Sequence, residues 1–208
     1  MNRSMLKLEI PAPLKVEFAT VEALWHSTAK TKRVDALILS WVKYEKQLRR
    51  LFCFFVFRHS AIREENIDDV IAFLAENANL YPETFMAGIE ALGEASVPDL
   101  LGSRYDRLWR EISRIKKYRN KLMHGQITGK NIRSPQLERD VLWIVEWVAS
   151  LATAGESAFG YDGLKRNTFS VARSGPKVAR ENYPFSTPDE FREWLSKLAK
   201  RARRDFSV

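Results

Sequence analysis

The segment from Arg119 to Gly125 reads Arg-Asn-Lys-Leu-Met-His-Gly and brings together three side chains that can act on a phosphodiester without a metal. Arg119 offers a planar cation to phosphoryl oxygens, and His124 offers an imidazole that exchanges a proton near neutral pH. Asn120 can hydrogen-bond the ring or a substrate oxygen. The chemistry these types support is attack of an RNA 2′-hydroxyl on the adjacent phosphorus, with His124 as general base or acid and Arg119 stabilising the charge that develops.

Position refines the reading. At about 100° per residue, Arg119 and His124 project about 140° apart, whereas Asn120 and His124 share a side of the helix. A site built from one chain needs Arg119 to curl round or the helix to end near Met123; a site shared by two chains does not. Arg119 is also in phase with Leu108, Ile112, Ile115 and Leu122, in the middle of an apolar stripe. Glu45 repeats the anomaly on an earlier helix, in phase with Ile38 and Phe52. A buried charge needs a counter-charge, so the expectation is a Glu45–Arg119 pair. Three readings stay open: a pair that only fixes helix register, a pair that orients the guanidinium toward a phosphate, and a stripe lying at a dimer seam.

The Arg-polar-x3-His pattern of 119–125, set between apolar helices in a basic chain, resembles the HEPN superfamily over about Val34 to Gly163. The resemblance implies an all-α, HEPN-like helical bundle that dimerises with its motif helices across a common cleft. It implies a metal-independent endoribonuclease, of the kind found in bacterial toxins and phage defence. The implied products are a 2′,3′-cyclic phosphate and a 5′-hydroxyl, with DNA spared. An antitoxin protein is among the partners such a role brings. The alternative is a non-catalytic HEPN-like dimer that binds RNA, a nucleotide or a protein.

The rest of the chain bounds these expectations. Its 208 residues, 45% of them hydrophobic, can bury a sizeable core. A net charge of +8 favours an anionic partner, and nucleic acid before a small acidic metabolite. Arg114, Lys116, Lys117 and Lys121, with Tyr118 to stack a base or serve as core, form the expected RNA track. A second basic run ends the chain at Lys197, Lys200, Arg201, Arg203 and Arg204. Tyr44 reads equally as a stacking residue or as core. The lone Cys53 reads as a core hydrophobe, and His26 and His59 as incidental. Metal-ligand spacing and phosphate-binding glycine loops are both lacking, so the expectation is no metal and no cofactor. The run from Leu51 to Phe57 is far shorter than the roughly 20 residues that cross a bilayer, and no leader pattern opens the sequence; a cytoplasmic protein is expected.

Helical periodicity dominates throughout. The expected organisation is an N-terminal arm and short helix over 1–33, a HEPN-like helical domain over 34–163, and a loop with a basic C-terminal helix over 164–208. Helices are expected at Glu17–Lys30, Val34–His59, Ile67–Asn77 and Pro82–Leu92, then a break from Gly93 to Gly102. The motif helix follows, with Ser103 as its cap and Gly125 as its stop. Ser134 and Pro135 open the next helix, with a stripe of Leu137, Val141, Ile144, Val145, Val148 and Leu151. Gly155–Pro184 reads as a loop, and Thr187, Pro188 and Glu190 as the start of the terminal helix.

Overall fold

A computed structural model describes residues 6–77, 80–93, 95–123, 132–174 and 184–205, and among these the secondary structure is helical throughout, with no strand. The α-helices are α1 (Lys15–His26), α2 (Lys32–Arg58), α3 (Ile67–Glu76), α4 (Pro82–Leu92), α5 (Val97–Leu101), α6 (Tyr105–Met123), α7 (Ser134–Phe159), α8 (Thr168–Ser174) and α9 (Pro188–Asp205). No helix among the described residues is long and apolar enough to cross a membrane. Two compact units emerge. The first holds 1–44 and 101–154 and the second 45–100 and 155–208, so the division falls within α2 and within α7.

In the first unit, each helix turns one stripe inward. Leu108, Ile112 and Ile115 of α6 are at most 1% exposed, as are Val141, Ile144, Val148 and Leu151 of α7. Leu37, Trp41 and Tyr44 of α2 and Phe18, Val21 and Trp25 of α1 are buried with them. Tyr44 belongs to this core. It stands between Trp41 and Trp147, with ring centroids 4.9 and 5.7 Å away. The N-terminal arm is packed, with Leu8, Ile10 and Leu14 buried. A buried ion pair ties these pieces together: Arg33 Nε donates to Glu138 Oε1 at 2.6 Å and Arg33 Nη1 to the Trp25 carbonyl at 3.0 Å. The Leu6 amide donates to the other Glu138 oxygen at 3.2 Å. The Arg33 guanidinium also lies 4.9 Å from the Trp25 ring, so both charges are satisfied.

The second unit is built around the aromatic end of α2, where Leu51, Phe52, Phe54 and Val56 are buried. Helices α4 and α9 pack against each other. Gly88 lets α4 approach α2, because a Cβ there would stand 2.4 Å from Phe52 Cε2. Phe185, Phe191 and Trp194 stack into one cluster, with neighbouring centroids 5.1 to 6.1 Å apart. A reciprocal cap opens α9: the Glu190 amide donates to Thr187 Oγ1 at 3.2 Å and the Ser186 amide to Glu190 Oε2 at 2.7 Å.

Several boundaries differ from the sequence reading. The break after Gly93 contains the short α5, capped by Ser96 and Asp99, and a 3-10 turn rather than Ser103 leads into α6. The stretch expected as a loop from Gly155 begins as helix, since α7 continues to Phe159 and ends at Gly160, whose φ of 70° suits glycine. A glycine inside a helix costs only about 1 kcal/mol. Here contact offsets it, because Phe159 meets Phe55 at 4.9 Å. The following turn is gripped by Arg50, which donates to the carbonyls of Leu164 and Arg166 and, at 3.0 Å, to Thr168 Oγ1. Those bonds hold α8 where composition suggested only loop.

Candidate functional site

Helix α6 carries the motif to Met123; His124 and the residues to 131 lie outside the described residues. Arg119 is half-buried on the last turn. Its guanidinium carbon lies 4.9 Å from the centre of the Trp41 ring, and Nη1 donates to Met123 Sδ at 3.3 Å. An arginine within an apolar stripe is thus accommodated by stacking on an indole, which keeps the charge and needs no neighbouring water on that face. Asn120 is exposed beside it, as are Lys117 and Lys121, while Lys116 and Tyr118 are half-buried. Glu45 belongs to the second unit and is half-buried, where its phase predicted a fully buried position.

The sequence reading does not single out one buried charge beside the motif helix. Asp140, on the second turn of α7, has no accessible side-chain surface. Arg114 and Tyr118 of α6 donate to its two carboxylate oxygens, and Gln136 Nε2 donates at 2.7 Å. Arg114 also reaches Glu111 Oε2 from Nη2 at 2.7 Å and from Nε at 2.9 Å. Burial pushes the Asp140 carboxyl up to about 6, against the opposing pull of Arg114. A signal was present: Asp140 lies within about 60° of the stripe of Leu137, Val141 and Ile144. The test that singled out Glu45 and Arg119 also finds Asp140, and it finds Arg33 in phase with Leu37 and Tyr44.

Charge is divided unevenly between the units. The first has 18 Lys or Arg against 9 Asp or Glu, a formal +9, and the second has 16 against 17, a formal −1. The excess positive charge therefore belongs to the unit that carries the motif. Some of it is answered locally: Arg107 pairs with Glu146 and lies 5.0 Å over Trp143, and Lys43 pairs with Glu17 at 2.9 Å.

The other groups singled out by type are less available for chemistry. Burial pushes the Cys53 thiol up to about 12, far from a reactive thiolate at neutral pH. His59 is 2% exposed, stacks on Phe185 at 4.0 Å and accepts the Ala61 amide on Nδ1 at 3.0 Å. Burial lowers it to about 4, so it is neutral at pH 7. It sits at the edge of a cavity of about 450 Å³ in the second unit, lined also by Arg63, Asn66 and Thr187. Among the described residues, no group of three His, Cys, Asp or Glu could hold a metal ion. Comparison with protein-family models, curated proteins and solved structures finds no match to this chain.

Proposed function

We propose that this all-α protein is a metal-independent endoribonuclease of HEPN type, acting as a homodimer. The observation that carries the reading is Arg119 itself: a guanidinium seated on Trp41 at the last described turn of α6, with exposed Asn120 next to it and His124 following in sequence. A cation held in one orientation by an aromatic floor is suited to the equatorial oxygens of a phosphorane-like transition state. His124 exchanges the proton of the 2′-hydroxyl or the leaving 5′-oxygen, and Asn120 holds the ring or a phosphoryl oxygen. Lys116, Lys117 and Lys121 attract the strand, consistent with the charge of the first unit, and Tyr118 flanks them. On an ideal helix Arg119 and His124 would project about 140° apart, which favours two copies around one substrate. Membership of the HEPN superfamily, a role as a toxin or defence effector and an antitoxin partner are part of the same proposal.

Purified protein incubated with single-stranded RNA in EDTA tests it. The expected result is cleavage to 2′,3′-cyclic phosphate ends, no cleavage of DNA of the same sequence, and loss of activity in Arg119→Ala and His124→Ala. Glu45→Gln tests the supporting role read from sequence. Mixing the two inactive variants restores part of the activity if the site is shared by two chains. RNA binding without cleavage by the unaltered protein would leave the non-catalytic binding reading in its place.

A further inference from the structure

Burial works against the charge of Asp140. Its carboxyl is fully buried and pushed up to about 6, so at neutral pH the group is ionised against the preference of its surroundings. Removing one partner of a buried pair usually leaves the other charge uncompensated, but Arg114 is partly exposed and keeps Glu111 when Asp140 is changed. What distinguishes Asp140 is what it grips. Arg114 and Tyr118 are one turn apart on the same face of α6, and Tyr118 immediately precedes Arg119. Arg119 leans elsewhere, onto Trp41 of α2, about 100° around the helix from Tyr118. The end of α6 is therefore held from two sides, by α7 through Asp140 and by α2 through Trp41. A helix gripped at two azimuths cannot roll about its axis without breaking one contact.

We propose that Asp140 is a positioning residue for Arg119, fixing the roll of α6 through Arg114 and Tyr118 so that the guanidinium stays on Trp41 and Asn120 stays turned to solvent. It touches no substrate. The consequence for rate rests on the proposed nuclease activity; the consequence for the helix does not.

Two variants and two readouts test the inference. Asp140→Asn keeps the shape and sets an amide group against the donors of Arg114 or Gln136, and Tyr118→Phe removes one hydroxyl. Both are expected to melt within a few degrees of the unaltered protein at pH 7. The backbone amides of Arg119 to Met123 should exchange with solvent on the order of tenfold faster in each, as local opening becomes easier. The kcat for RNA should fall about tenfold or more with KM changed less than about threefold, because misplacing a catalytic group costs rate before binding. The double variant should be no worse than the more affected single one. Unchanged exchange in both variants would overturn the proposal, as would a large loss of melting temperature, which would make Asp140 a plain stability contact. Faster exchange in a protein that never cleaved RNA would uphold the positioning role while the nuclease reading fails.

Discussion

The guanidinium of Arg119 rests 4.9 Å from the indole centre of Trp41, and Trp41 is itself 1% exposed. The floor is rigid because Trp41 packs on Tyr44 and Tyr44 on Trp147. Such a contact contributes about 0.5 to 2 kcal/mol, depending on how dry it is. Trp41→Phe keeps an aromatic face but shortens it, and is expected to lose about 1 to 2 kcal/mol in urea unfolding together with most of the cleavage rate. Equal rates for Trp41→Phe and the unaltered protein would show that Arg119 needs no such seat.

Asp140 makes stability depend on pH with a definite sign. Its carboxyl is raised from 3.8 to about 6 on folding, so between those values the folded chain binds the proton more tightly than the unfolded chain. This group's contribution is therefore greatest below about pH 4 and falls as pH rises to about 6. The groups facing it are Arg114, Tyr118 and Gln136, which hold its oxygens, and Glu111, which opposes its charge. Unfolding of Asp140→Asn at pH 4 and pH 7 should show the variant gaining on the unaltered protein at the higher pH, by roughly 2 kcal/mol from about 1.4 kcal/mol per pKa unit. A relative gain at pH 4 instead would reverse the assignment.

How far the sequence discloses this molecule depends on the kind of signal. Stripes of Leu, Ile and Val at helical spacing were legible, and every apolar residue named for α7 from Leu137 to Leu151 is buried. Ends were less legible: Gly155 reads as a breaker until the contact between Phe159 and Phe55 is seen, and α8 is held by Arg50, more than a hundred positions away. Charges within stripes are visible as anomalies, but the seat each takes is not: Arg119 lies over the Trp41 ring, which composition does not flag. Tyr118 reads equally as a base-stacking or a core residue, because nothing local reveals that its hydroxyl belongs to Asp140, 22 positions on.

His59 should oppose Asp140 in acid. Burial lowers it from 6.5 to about 4, so as pH falls through that window the unfolded chain takes up a proton that the folded chain refuses. Its contribution is full above about 6.5 and is lost as pH drops toward 4, at up to about 1.4 kcal/mol per pH unit. In the unaltered protein the two slopes partly cancel between about 4 and 6. His59→Gln should remove one of them, leaving a protein whose stability declines less, or rises, on acidification. Identical pH profiles with and without His59 would show that the ring is protonated as easily folded as unfolded.

Gly88 tests the packing of the second unit. A methyl group there would overlap the Phe52 ring at 2.4 to 2.5 Å. Overpacking of this kind costs about 1 to 3 kcal/mol, against about 1 kcal/mol gained from replacing a helical glycine with alanine. Gly88→Ala should be destabilised on balance, and Phe52→Leu in the same chain should recover part of the loss by vacating the space. Additive losses in the double variant would place the strain somewhere other than the ring.

Arg119→Lys separates charge from shape. Lysine keeps the positive charge, so attraction of an RNA strand should weaken no more than about threefold at constant salt. It lacks the planar fork that can lie on Trp41 and still present parallel donors to two phosphoryl oxygens. If the guanidinium acts in the transition state, its loss resembles removal of a preorganised oxyanion donor, which costs on the order of a hundredfold or more in rate. Single-turnover cleavage by Arg119→Lys should therefore fall to that extent while binding to a 2′-deoxy analogue of the substrate is nearly unchanged. Cleavage within about threefold of the unaltered protein would mean that only the charge of Arg119 is used, and the geometry imposed by Trp41 would lose its catalytic meaning.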